Sequence, residues 1–203
     1  MDYYPSIKKE NLPKEFSDLA LETINKFIEK TYLLDYECMI YFDYMTGETL
    51  KCAIGKSNKV KIKFKKEEFE GHHVASLHNH PSHVFSPPSG KNFGILARDF
   101  EDYELISGQD ELWILEAKGL YEYLISEMNI ASELFFNSCL EKCSKRYNDK
   151  TIIDKMVNLL YGNQISTYIN KKNLNGIQLT KKEYVKWKNQ KLKLQNILQL
   201  NMI

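Results

Sequence analysis

The segment His73-Val74-Ala75-Ser76-Leu77-His78-Asn79-His80-Pro81 reads as a strand that stops at its proline. Pro81 has no N–H to give to a ladder and cannot continue a central strand. Side chains alternate along a strand, so His78 and His80 project from one face and both imidazoles can converge on a single metal ion. The setting is concentrated: all five histidines, His72, His73, His78, His80 and His83, fall within residues 72–83. His72, His73 and His83 read as flanking residues. A Pro/Ser-rich loop follows from Ser82 to Gly90, and loops at strand ends are where active sites are commonly built.

Working outward toward the N-terminus, Leu19, Leu21, Ile24, Phe27 and Ile28 recur at helical spacing. They predict an amphipathic helix over about 13–31, with Pro13 suited to its start. Glu37 to Met45, the turn Thr46-Gly47 and Glu48 to Ile54 predict a hairpin. Lys59-Val60-Lys61-Ile62-Lys63-Phe64-Lys65 alternates strictly and predicts a third strand, its lysines forming a solvated face. On the C-terminal side, the pattern predicts a short helix over 92–104 and strands at 105–107, 112–115 and 120–126. Beyond that the period becomes helical, with helices expected at 128–147, at 151–161 and from 181. There Thr180-Lys181-Lys182-Glu183 has the form of a capping box. The expected organisation is an α/β domain over 1–126 and a basic α-helical extension over 127–203.

Composition bounds the function. With 203 residues, 43% hydrophobic and 12% aromatic, the chain can bury a core and is not a disordered tract. No apolar run reaches the roughly 18 residues needed to cross a bilayer, and Met1 to Pro5 lacks a signal-peptide layout, so a soluble cytoplasmic protein is expected. Cys38, Cys52, Cys139 and Cys143 are too scattered for a disulfide framework and read as free thiols.

Leu77-His78-Asn79-His80-Pro81, followed by Ser89-Gly90-Lys91-Asn92, resembles the His-x-His-Pro…Ser-x-x-Asp signature of the JAMM (MPN-plus, JAB) metallopeptidases. The stretch His78 to Ser82 is closest to the RadC-type branch. The resemblance covers about 13–126 and implies a JAB/MPN-like, cytidine-deaminase-like mixed sheet flanked by helices. It also implies a zinc ion held by His78, His80 and the position of Asn92, with Glu37 as general base and then acid, and the Ser89 hydroxyl as oxyanion donor. The implied activity is hydrolysis of a peptide or isopeptide bond in a protein or ubiquitin-like tail. One departure stands out: Asn92 occupies the place of the family's ligand Asp, and the loop before Ser89 is one residue longer. An amide oxygen brings no charge to a metal ion. Three outcomes stay open: a working Asn ligand, a site completed by another acid such as Asp99 or Asp102, or a binding module that no longer hydrolyses.

The net charge of +1 conceals a division. Residues 142–203 carry 13 Lys+Arg against 3 Asp+Glu, which is +10, and residues 1–141 carry 15 against 24, which is −9. Lys181, Lys182, Lys186, Lys188, Lys191 and Lys193 interleave with Tyr184 and Trp187, a pattern that can follow a phosphate backbone. No groove-reading motif accompanies it. The apolar set Val185, Leu192, Leu194, Ile197, Leu198 and Leu200 favours docking on the acidic domain, on an acidic protein partner or across a homodimer over nucleic-acid binding.

Overall fold

The computed structural model describes residues 3–57, 59–81, 86–172 and 177–188. Its centre is a mixed six-stranded sheet, which makes the chain an α/β protein. The strands are β2 (Cys38–Asp43), β3 (Thr49–Ile54), β4 (Val74–Asn79), β5 (Glu101–Ser107), β6 (Glu111–Ala117) and β7 (Ile177–Glu183), in the order β3-β2-β4-β5-β6-β7. Only β4 and β5 run parallel; every other pair in this sheet is antiparallel. A separate ribbon pairs β1 (Tyr3–Ser6) with β8 (Val185–Lys188). β4 is buried at all six positions, as expected of a strand covered on both faces.

Helix α1 (Asp18–Thr31) covers one face. Its N-cap is Ser17, whose Oγ accepts the Ala20 N–H at 3.0 Å, so the helix begins at the serine and not at Pro13. Ala20, Ile24, Phe27 and Ile28 pack with Phe42, Leu77, Leu105 and Ile114. Each large aliphatic side chain removed from water there contributes about 1.5–3 kcal/mol. The opposite face is covered by a 3-10 segment, Gly90–Ala97, and by helices α2 (Glu122–Arg146) and α3 (Lys150–Lys171), which pack on Ile106, Trp113, Leu115 and Leu179. Asp149 caps α3, its Oδ1 accepting the Ile152 N–H at 3.1 Å.

Four sequence expectations are corrected. Lys59–Lys65 forms no strand: its only pairing is an isolated bridge between Lys56 and Lys59, and Val60 and Ile62 instead pack on a small cluster of Met39, Tyr41, Phe69 and Val74. The expected helix at 92–104 divides into the Gly90–Ala97 turns and the first half of β5. Residues 122–126 open α2 and are not a strand. Residues 181–183 lie in β7, with Lys182 opposite Leu112 and Thr180 opposite Ile114, and the expected helix there does not form. The remainder of that expected helix, 189–203, lies outside the described residues, as does His83. β7 thus joins the basic stretch to the central sheet, and Lys181 Nζ meets Glu111 Oε2 at 3.4 Å. Among the described residues no helix is long and apolar enough to cross a membrane.

Candidate metal centre

The C-terminal end of β4 carries the histidine pair. His78 and His80 bring their Nε2 atoms to 3.2 Å of each other. Two imidazole nitrogens bound to one tetrahedral zinc, each at about 2.0–2.1 Å, stand about 3.3 Å apart. The spacing of the pair is that of two ligands of one ion, and equally that of an N–H···N hydrogen bond between the rings. The His80 ring is oriented by its Nδ1, 3.1 Å from the Ser86 carbonyl, which can only accept, so the neutral ring keeps its proton on Nδ1 and a lone pair on Nε2. His78 is buried, and burial, together with the neighbouring His80 and Arg98, holds its pKa well below the ordinary imidazole value. A neutral imidazole is the form that ligates.

Asn92, in the Gly90–Ala97 segment, reaches the same point from the facing layer. Its Nδ2 lies 3.1 Å from His78 Nε2 and donates to Glu104 Oε1 at 3.2 Å. Its Oδ1 accepts the Ser89 N–H at 2.7 Å and the Ser89 hydroxyl at 3.1 Å. The amide oxygen is thus committed to the turn, and as seated Asn92 does not fit as a metal ligand. Turning the amide over would set its NH2 against the Ser89 N–H. The same contact directs the Ser89 hydroxyl at Asn92 instead of at an oxyanion.

Glu37 immediately precedes β2. Met39 stands opposite His78 in the β2–β4 register, and continuing that register two residues beyond the ladder would set Glu37 across from His80. Asn79 fixes this alignment: its Oδ1 accepts the Cys38 N–H at 2.6 Å and its Nδ2 donates to the Tyr36 carbonyl at 3.0 Å. Burial raises the Glu37 pKa above the ordinary carboxyl value, while the Val60 N–H and the charge of Lys91 oppose the shift.

Glu104, on β5, lies beside the pair, and no sequence reading included it. It is 4% exposed, its Oε1 is 3.6 Å from His78 Nδ1, and its Oε2 is buried without a hydrogen-bond partner. Burial, helped by the charge of Glu101 and opposed by Arg98 and Asn92, pushes its pKa up to about 8. The signal was present as an acid two residues before Ile106, inside a strand; assigning 92–104 to a helix hid it. Glu101 is itself engaged by Arg98 Nη1 at 2.6 Å and by the Ser76 hydroxyl. Together Ser76, His78, Asn92, Arg98, Glu101 and Glu104 form a polar strip between apolar clusters.

The other candidates lie elsewhere. Asp99 pairs with Lys66 and Asp102 accepts the Tyr44 hydroxyl at 2.8 Å, so neither completes the site. His72 Nδ1 sits 3.1 Å from Asp43 Oδ2, and the His73 ring lies against Tyr44, both at the opposite end of β4. Cys139 and Cys143 are free thiols in the core. Among the described residues no group of three or more His, Cys, Asp and Glu side chains is arranged to hold a metal ion. The loop beside the site is held from the C-terminal part of the chain, where the Tyr161 hydroxyl donates to the Pro88 carbonyl at 2.7 Å. No family model, curated protein or solved structure matches this chain.

Proposed function

We propose that the chain is a zinc-dependent peptidase or isopeptidase of the JAMM type, built on a JAB/MPN-like sheet and working in the cytoplasm. The observation that carries this reading is the 3.2 Å approach of His78 Nε2 to His80 Nε2 at the end of a buried strand. The parallel pair β4–β5, the helix on one face and the four free cysteines are consistent with it. A bound zinc ion supplies acidified water, its pKa lowered to about 7, at neutral pH. The chain's own residues do the rest. His78 and His80 present nitrogen lone pairs, Asn79 holds the start of β2 in place, and Glu37 accepts a proton from water and returns it to the leaving amine. Its raised proton affinity suits that double task. The substrate class, an extended protein or ubiquitin-like tail, comes from the motif resemblance.

Zinc titration of the purified chain, read by mass spectrometry under native conditions and by competition with a chelating dye, tests this reading. One equivalent is expected in the intact chain and none in His78→Ala or His80→Ala. Equal uptake by all three would overturn it. A second reading, a JAMM-like binding module without hydrolysis, is favoured by one observation: Asn92 offers His78 an amide N–H and not its oxygen. Asn92→Asp separates the two. Tighter zinc binding together with new peptidase activity means that only the ligand is missing, and unchanged zinc affinity means that the pocket itself is no longer a metal site.

A further inference from the structure

A metal-binding histidine almost always donates its second ring N–H to a carboxylate, a carbonyl or water, which fixes its tautomer and aims its free nitrogen. His80 has this arrangement, with Nδ1 at 3.1 Å from the Ser86 carbonyl. On the same side of its own ring His78 has Glu104, whose Oε1 lies 3.6 Å from Nδ1, within ion-pair reach but longer than a direct hydrogen bond. The two rings are thus each backed by an oxygen, and their Nε2 atoms point at one another. Glu104 also holds the third motif position, accepting the Asn92 amide at 3.2 Å. Its side chain is 5% exposed and its second oxygen has no partner, a costly state to retain in a core without a task.

We infer that Glu104 is a positioning residue of the metal centre, setting His78 with Nδ1 protonated and Nε2 directed at His80. The inference rests on the metal-centre reading of His78 and His80 but adds a residue that belongs to no part of the motif. Glu104 acts through His78 and Asn92, not on a substrate. The parallel register of β4 and β5 places Glu104 next to Ser76, two residues before His78.

Two measurements test this in the full chain. In zinc-free protein, nitrogen-15 spectra of His78 should show the proton on Nδ1, and Glu104→Gln should mix the two tautomers while leaving His80 unchanged. With zinc alone as the probe, Glu104→Gln should weaken binding about 10- to 100-fold, the usual effect of removing such a partner. A wild-type His78 protonated on Nε2 would overturn the assignment, as would zinc affinity unchanged in Glu104→Gln. If the intact chain takes up no zinc, the metal-centre reading fails, and the tautomer measurement, which needs no metal and is made on wild type, still decides whether Glu104 sets His78.

Discussion

Asn92 and Glu104 illustrate how one atom changes a site. Replacing the Asn92 amide with a carboxylate puts two acids where the Nδ2–Oε1 contact is 3.2 Å. Without metal, Asn92→Asp should therefore be less stable than wild type, by about 1–3 kcal/mol. Zinc added at 100 times its Kd should return about 2.7 kcal/mol. Denaturant titrations with and without zinc check both figures, and a variant equally stable in the two conditions would show that no ion enters. Asp43 provides a second case at this scale. Its buried carboxylate accepts the Met45 N–H at 2.8 Å, the Thr46 N–H at 3.0 Å and the His73 N–H at 3.2 Å. Burial alone would raise its pKa, but these donors and His72 hold it below the ordinary value. A depressed folded pKa contributes stability above the unfolded value and loses it as pH falls through the folded one. Asp43→Asn should cost about 1–3 kcal/mol at neutral pH, and its stability should fall less steeply than that of wild type below pH 4, as thermal melts across that range will show.

At the scale of the elements, α3 is set close to the sheet by Gly162. A Cβ there would lie 2.7 Å from Trp113 Cη2 and 3.3 Å from Pro87 Cγ. Gly162→Ala gains about 1 kcal/mol of helix propensity but overpacks the contact by about 1–3 kcal/mol. A net loss of stability is expected, with Trp113 fluorescence as a local reporter; a more stable variant would mean that the layers can separate without cost. Which elements were legible depended on what covers them. β2, β3 and β4 could be read because their alternation, or their continuous burial, is local. Lys59–Lys65 misled because Val60 and Ile62 are apolar for packing on Met39 and Tyr41, with no ladder to join. Thr180-x-x-Glu183 imitated a helix cap, yet the partner that makes it a strand is Glu111–Ala117, some 65 residues away. The histidine pair stood out because a His-x-His on a strand sets both rings on one face, whereas Glu37 was singled out only by the motif resemblance. The place of Glu104 beside them was not legible, because it depends on the β4–β5 register.

For the whole molecule, the division into acidic and basic stretches does not coincide with a division of the sheet. β7 contributes Leu179 to the same cluster as Ile106, Trp113 and Leu115, and Tyr161 holds the Pro88 carbonyl beside the site. A fragment ending at 141 should therefore lose its cooperative melting transition and its zinc binding together. Circular dichroism and dye competition on the fragment check this, and a stable, zinc-binding 1–141 would return the C-terminal stretch to the status of an appendage. If the basic stretch served nucleic acid, affinity for DNA or RNA should fall steeply with salt; fluorescence anisotropy with labelled oligonucleotides is expected to find no such binding at physiological ionic strength.

Because Ile177–Glu183 supplies the strand beside β6, a chain emerging from the ribosome shows β6 as a bare edge until residues 177–183 have been made. Such an edge invites pairing with a neighbouring nascent chain, and joining partners this far apart in sequence makes folding slow. Folding then competes with association while β6 is bare, so the rate at which β7 docks bears on the yield of folded protein alongside equilibrium stability.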